Sequence, residues 1–261
     1  MPAVAWCDSQ RTLEGTERLR ILLVNPNTTA SMTVAMAESV AGMLAPGTEL
    51  IAETAPYGPE SIEGYYDEVF SVPPLLEVVV AHRDDVDGIV VGCFDDTGVD
   101  AVRSVATVPT IGICQAAMQA ATVLAGSFSV ITTLGRSVPA LEHLAVKYGY
   151  ERHCRRVRAC EVPVLELEDE AGDARTRLAA ELERALDEDG AEAIVLGCAG
   201  MSAMARSLSS RYGVPVIDGV GAALKVVEGL AALGLQTSKR QGYAAPRAKR
   251  YSGRFKRHAP R

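Results

Sequence analysis

Short continuous apolar runs alternate along this chain with stretches whose apolar side chains recur every three or four positions. The first pattern predicts buried strands and the second amphipathic helices. A strand is expected over 19–24, ending at the turn Asn25-Pro26-Asn27-Thr28, whose Asn and Thr suit a helix N-terminus. Met32, Met36, Val40 and Met43 follow at helical spacing. Strands are then expected over 49–54, 88–93 and 108–113, and helices over 75–86, 101–106 and 115–124. A second series begins after Gly126. It predicts strands over 128–131, 157–160, 193–198 and 214–217, with helices over 136–148 and 201–211. Leu178, Leu182, Ala185 and Leu186 line one face of another helix that stops at Gly190. Val220, Leu224, Val227 and Leu230 mark a last long helix, with Gly234 at its C-terminal end.

The two series are copies of one plan. Asp87-Gly88-Ile89-Val90-Val91-Gly92-Cys93 is echoed by Glu192-Ala193-Ile194-Val195-Leu196-Gly197-Cys198. Val24 matches Ile131 at an offset of 107, Cys93 matches Cys198 at 105, and Val108-Pro109 matches Val214-Pro215 at 106. Strands alternating with helices form parallel sheets covered on both faces. The fold class is therefore α/β, with two similar domains related by a pseudo-twofold axis and a site in the cleft between them. The first domain spans 19–125 and takes back the final helix, 219–235; the second spans 126–218. Residues 1–18 show no period and read as a loose extension, and 238–261 as a tail.

Composition narrows the class. The chain is 48% hydrophobic and 23% charged, which is globular rather than disordered. No apolar stretch approaches the ~18 residues of a spanning helix. Asp8, Glu14 and Glu17 interrupt the first residues, so no secretory signal is expected and the protein is placed in the cytoplasm. The tail from Ser238 carries nine Lys or Arg and no acid; the net charge of −7 therefore leaves −16 on the rest. So acidic a body argues against nucleic acid, and no membrane partner is expected. The tail is expected in solvent or on a neighbouring copy in a homo-oligomer.

Cys93 and Cys198 carry the candidate chemistry. Ligands of parallel α/β sheets sit at the carboxyl ends of the strands, and both thiols occupy such ends. About a dyad they would approach one cleft from opposite sides. One thiolate can take a proton from carbon and the other thiol can return one, so a small-molecule substrate is turned over in both directions. Helix-start amides are expected to lower such thiols from ~8.5 into the range of roughly 3.5–7.5. Cys7, Cys114, Cys154 and Cys160 lack such partners and read as incidental or packing residues. No metal ligand set has the right spacing, and no phosphate-binding Gly-rich loop follows a strand, so no cofactor is expected. Asn25, Thr132 and Thr133, at first-strand ends, offer groups for a carbonyl or enolate oxygen. Asp95 and Asp96 read as helix-start caps.

With Val24–Thr28, Ser61-Ile62-Glu63-Gly64, Gly92–Asp96, Phe128–Leu134, Ile194–Met201, Val214–Asp218 and Ala232–Lys239, the chain resembles the aspartate/glutamate/hydantoin racemase superfamily, in its hydantoin racemase branch. The resemblance implies metal-free, pyridoxal-free racemisation of 5-monosubstituted hydantoins, with allantoin first to test. It puts the catalytic pair on Cys93 and Cys198. It adds Pro26, Thr28, Phe94, Ala199 and Gly200 to the substrate-binding residues. Asp95-Asp96-Thr97 stands where relatives often have Gly-Asp-Pro, and Gln115 and Gln119 where they often have Glu and His. These departures are expected near the pocket wall, where they bear on substrate identity. Two other readings remain at this point: an amino-acid racemase or related isomerase or decarboxylase of the same superfamily, and a two-lobed small-molecule binding protein.

Overall fold

A computed structural model of the chain describes residues 18–168 and 172–260; the predicted loose extension through residue 17, with Cys7, lies outside them. The first half runs β1 (Leu19–Asn25), α1 (Ala30–Ala41), β2 (Thr48–Thr54), α2 (Tyr65–His82), β3 (Gly88–Val91), α3 (Val99–Val105), β4 (Thr110–Gly112) and α4 (Ile113–Leu124). The second runs β5 (Phe128–Thr132), α5 (Val138–Tyr148), β6 (Cys154–Ala159), α6 (Ala174–Asp187), β7 (Ala193–Leu196), α7 (Ala205–Tyr212), β8 (Val216–Ile217) and α8 (Gly219–Ala232). The sheets are four-stranded, wholly parallel and equivalent in order, β2-β1-β3-β4 and β6-β5-β7-β8. Val24 pairs with Val91 as Ile131 pairs with Leu196, so the sequence repeat is a repeat of strand register.

Strand periodicity sorts the core into layers. Leu22, Val24, Ile89 and Val91 face Leu75 and Val79 of α2 and Val99 and Val102 of α3. On the opposite flank, Ile131, Ile194 and Leu196 face Leu178 and Leu182 of α6 and Leu208 of α7. The other faces of both sheets share one core. Ile21, Leu23 and Val90 of the first sheet and Val130 and Val195 of the second close on Met118 of α4 and Leu224 and Val227 of α8. Helix α8 follows the last strand of the second half yet lies on the first sheet. A Cβ on Gly88 of β3 would stand 2.1 Å from Val227 Cγ1, so bare backbone lets α8 in. Burying Val220, Leu224 and Val227 contributes about 2 kcal/mol for each side chain, which favours this return. No helix among the described residues is long and apolar enough to cross a membrane.

Element bounds shift by a few residues in several places, and two segments depart further from the sequence expectation. Helix α2 begins at Tyr65, ten residues earlier than expected, and runs through Pro73 and Pro74. Proline in a helix interior loses a hydrogen bond, but burial of Ser71, Pro74, Leu75 and Val79 overrides that local preference. The basic tail is largely exposed, as expected, but it is anchored to its own chain at a few points. The Thr237 amide donates to Thr107 O, Lys239 Nζ donates to the carbonyls of Arg103 and Ala106, and Arg257 pairs with Glu77. Open carbonyls and Glu77 of the first half thus draw Lys239 and Arg257 onto their own chain.

Candidate active site

The amides of Gly92 and Gly197 extend the ladders one residue past β3 and β7, donating to Val24 O and Ile131 O, each at 2.8 Å. Neighbouring atoms approach too closely there for a side chain. A Cβ at Gly92 would meet Met36 Sδ at 2.8 Å, and one at Gly197 would meet Ile131 O at 2.9 Å. The next residue in each half is the cysteine, released from the sheet at its carboxyl end. Both thiols line one cleft with Asn27, Met32, Ile62, Asp95, Thr132, Thr133, Ser137 and Val164.

Each sulfur accepts the amide two residues on, Asp95 N–H for Cys93 and Gly200 N–H for Cys198. Thr97 Oγ1 lies 3.4 Å from Cys93 Sγ. These bonds favour the thiolates, but burial dominates and the Asp95 charge adds to it. Cys93 is held well above the ordinary thiol range, and Cys198 is pushed up to about 12. The expected lowering does not occur, because desolvation of each sulfur outweighs the nearby amides. Both thiols therefore hold their protons at neutral pH. A thiolate formed in so dry a place is a stronger base than one in water, which narrows the gap to a carbon acid. Alkylation of the two thiols by iodoacetamide should climb from pH 6 to about pH 9 without levelling off. An inflection between about pH 6 and pH 8 would contradict the raised values.

Most of the expected site residues meet in the cleft, and some do not. Cys93, Phe94, Thr132, Thr133, Cys198 and Ala199 line it, whereas Asn25, Pro26, Thr28 and Gly200 are not among its lining residues. Asn25 is fully buried, and its Nδ2 donates to Asn27 Oδ1, Thr29 O and Thr33 Oγ1. It builds the turn, and Asn27 is the residue the turn presents. Thr28 is tied to Pro59 O through its amide and hydroxyl. Gly200 bears on the cleft through its amide, which donates to Cys198. Thr132 Oγ1 donates to Gly197 O, which leaves the hydroxyl oxygen to a ligand as an acceptor. Gln115 and Gln119 are not at the cleft wall: Gln115 accepts from Arg103 and Gln119 is exposed. Ser137 and Ile62 were missed as site residues, although Ser137 before Val138-Pro139 is a helix-start signal and Ile62 sits in the quoted Ser61–Gly64 segment. Among the described residues, no group of three or more His, Cys, Asp or Glu is placed to hold a metal ion.

The two aspartates after Cys93 part company. Asp96 caps α4, not the helix next in sequence: Oδ1 accepts from Cys114 N and Oδ2 from Gln115 N, both at 3.0 Å, and Tyr148 Oη donates to Oδ2 at 2.7 Å. The loop carrying Cys198 is held to α8 in the same way. Asp218 accepts from the amides of Val220 and Gly221, and Ser202 Oγ donates to Asp218. Asp95 caps nothing and faces the cleft.

Two equivalent α/β lobes thus bring one thiol each to a shared cleft. The chain belongs to the Asp/Glu/Hydantoin racemase family, whose model matches residues 21–227. It is 51% identical over 236 residues to a hydantoin racemase of Rhizobium meliloti, covering 90% of this chain and 98% of that protein. Among solved structures it is similar to an allantoin racemase from Klebsiella pneumoniae, with a TM-score of 0.89 and 44% identity over 93% of this chain and 99% of that one. The allantoin racemase of Pseudomonas fluorescens gives a TM-score of 0.87 and 38% identity over 90% and 100% of the two chains.

Proposed function

We propose that this chain is a cofactor-independent racemase inverting C5 of 5-monosubstituted hydantoins, allantoin among them, with Cys93 and Cys198 as the two proton-transfer groups. Convergence of the two thiols on one cleft, from equivalent strand ends, carries this reading. One sulfur, as thiolate, takes the C5 proton. The electron pair delocalises into the C4 carbonyl, and the flat enolate receives a proton from the opposite thiol. Amides of Phe94 and Ala199 at the cleft wall take the C4 oxygen, and each such donor can contribute about 3 kcal/mol to the transition state. Asn27, Thr132, Thr133 and Ser137 hold the remaining polar edge of the ring.

Residues 19–125 with 219–235, and 126–218, act as the two domains that carry one thiol each. A reducing cytoplasm keeps both thiols free, and the chain works there as a homo-oligomer. Chiral chromatography of L- and D-5-methylhydantoin and allantoin, with no metal or pyridoxal phosphate added, tests the activity. Either pure enantiomer should run to the racemate. A single enantiomer left unchanged in every case would overturn the reading.

A further inference from the structure

The pseudo-dyad that makes the two thiols equivalent leaves one problem unsolved. A hydantoin is not symmetric about C5: N1–H stands on one side of that carbon and the C4 carbonyl on the other. A twofold axis that exchanges the two faces while keeping the ring in place also exchanges these two sides. Some residue must break the symmetry of the cleft, or the ring could bind in two registers.

Position 95 is the place where the halves differ in an ionisable group. Asp95 and Gly200 each stand two residues after their cysteine, and each donates its amide to that cysteine's sulfur. Beyond the shared amide, Asp95 adds a carboxyl and Gly200 adds nothing. A Cβ at Gly200 would lie 3.1 Å from Leu167 Cδ1, so the second half is apolar at the matching place. Among the described residues lining the cleft, Asp95 is the sole ionisable group besides the thiols. Its carboxyl makes no hydrogen bond among the described residues, and its charge is felt at both sulfurs. Burial, and then Glu68 behind it with a buried, unpartnered Oε1, push Asp95 up to about 7.

Charge decides which side of the ring such a group can serve. Negative charge grows on the C4 oxygen in the transition state, and a carboxyl beside that oxygen would oppose it. A carboxyl suits the opposite side, where N1–H donates to it and, when it is protonated, its O–H returns a bond to the C2 carbonyl. We propose that Asp95 is a substrate-binding residue that takes the N1–H edge of the ring, fixes its register between the thiols, and selects neutral cyclic ureides over α-amino carboxylates. This assignment rests on the hydantoin reading of the cleft and names the group that recognises the ring.

Turnover of 5-methylhydantoin, 1,5-dimethylhydantoin and 3,5-dimethylhydantoin by wild type, Asp95→Ala and Asp95→Asn tests it, with thermal melting of each variant as a check on folding. In wild type, methylating N1 should lower kcat/KM by about tenfold or more. In Asp95→Ala the same methylation should have little further effect, and the loss on 5-methylhydantoin should fall mainly on KM. Asp95→Asn, whose carbonyl still accepts N1–H, should recover part of the discrimination. Methylating N3 should act alike on wild type and variants. An N1-methyl penalty equal in wild type and Asp95→Ala overturns the assignment, as does sensitivity to position 95 seen with N3 instead. A merely structural role for Asp95 would depress all three substrates equally. Absence of turnover of every hydantoin by wild type would instead overturn the hydantoin reading itself.

Discussion

Replacing either Cys93 or Cys198 by serine should lower racemisation of 5-methylhydantoin by roughly 10³-fold or more while leaving its binding intact. Serine keeps the size of the side chain and its place at the strand end. Its hydroxyl gives up a proton far less readily than a thiol, so the altered face neither removes nor returns one at a useful rate. Racemisation needs both faces, and one unaltered thiol cannot invert carbon alone. The two single variants should therefore be about equally inactive from L and from D, and the double variant little worse than either, because the pair acts as a unit. Binding should survive because Asn27, Thr132, Thr133 and Ser137 are untouched. A variant retaining more than about a tenth of wild-type turnover would remove that cysteine from the mechanism.

The second large effect concerns how the thiols are held. Asp96→Ala should lower stability by about 3 kcal/mol, because two α4 amides and the Tyr148 hydroxyl lose their acceptor in a buried place. For a chain of this length that is a fall in Tm of roughly 6–12 °C. Burial holds the Asp96 carboxyl at about 6 against an ordinary 3.8, with its hydrogen bonds only partly offsetting that. The folded state thus binds more protons than the unfolded one between those values, and this group's contribution to stability declines as pH rises through them. Asp96→Ala should remove that decline.

The second half suggests a rescue. Asp218 is the counterpart of Gly112 at the offset of 106, and its partner Ser202 stands one residue beyond Met201, which matches Asp96 at the offset of 105. A helix-capping carboxylate therefore comes from position 96 in one half and from position 218 in the other. Gly112 leaves the room this requires, since a Cβ there would lie 2.0 Å from Asp96 Oδ1. Its φ of −93° and ψ of 157° resemble the −88° and 129° of Asp218, so a side chain is accommodated once Asp96 is gone. The pair Asp96→Ser with Gly112→Asp should recover more than half of the lost stability. Melting of Asp96→Ala within about 2 °C of wild type would contradict the brace, and failure of the swapped pair to improve on Asp96→Ala would contradict the equivalence.

The repeat made the fold legible before any coordinates. Offsets of 105 to 107 between apolar runs ending at Gly-Cys translate directly into matched strand registers, because parallel strands buried on both faces leave long apolar signatures. The same runs located the two thiols. Other features depend on partners distant in sequence. Helix α2 passes through two prolines because the sheet beneath it holds Leu75 and Val79. Asn27 rather than Asn25 faces the cleft because Thr33, a turn into α1, claims the Asn25 amide. The thiols keep their protons because the domains close around them, which no local helix-start argument reveals. Asp95 looked like its neighbour Asp96 in sequence, and only the cleft separates a ligand-facing carboxyl from a helix cap. The repeat, carried one step further, would have paired Asp95 with Gly200 and exposed that difference.

Early-time isotope incorporation in deuterated water tests the two-thiol claim most directly. Starting from protiated L-5-methylhydantoin, the wild-type enzyme should form D-product labelled at C5 while the remaining L-substrate stays unlabelled, because the proton leaves from one face and a solvent-exchanged one returns to the other. Label appearing in recovered L-substrate as fast as in the D-product would mean that a single group serves both faces, and would contradict the paired roles of Cys93 and Cys198.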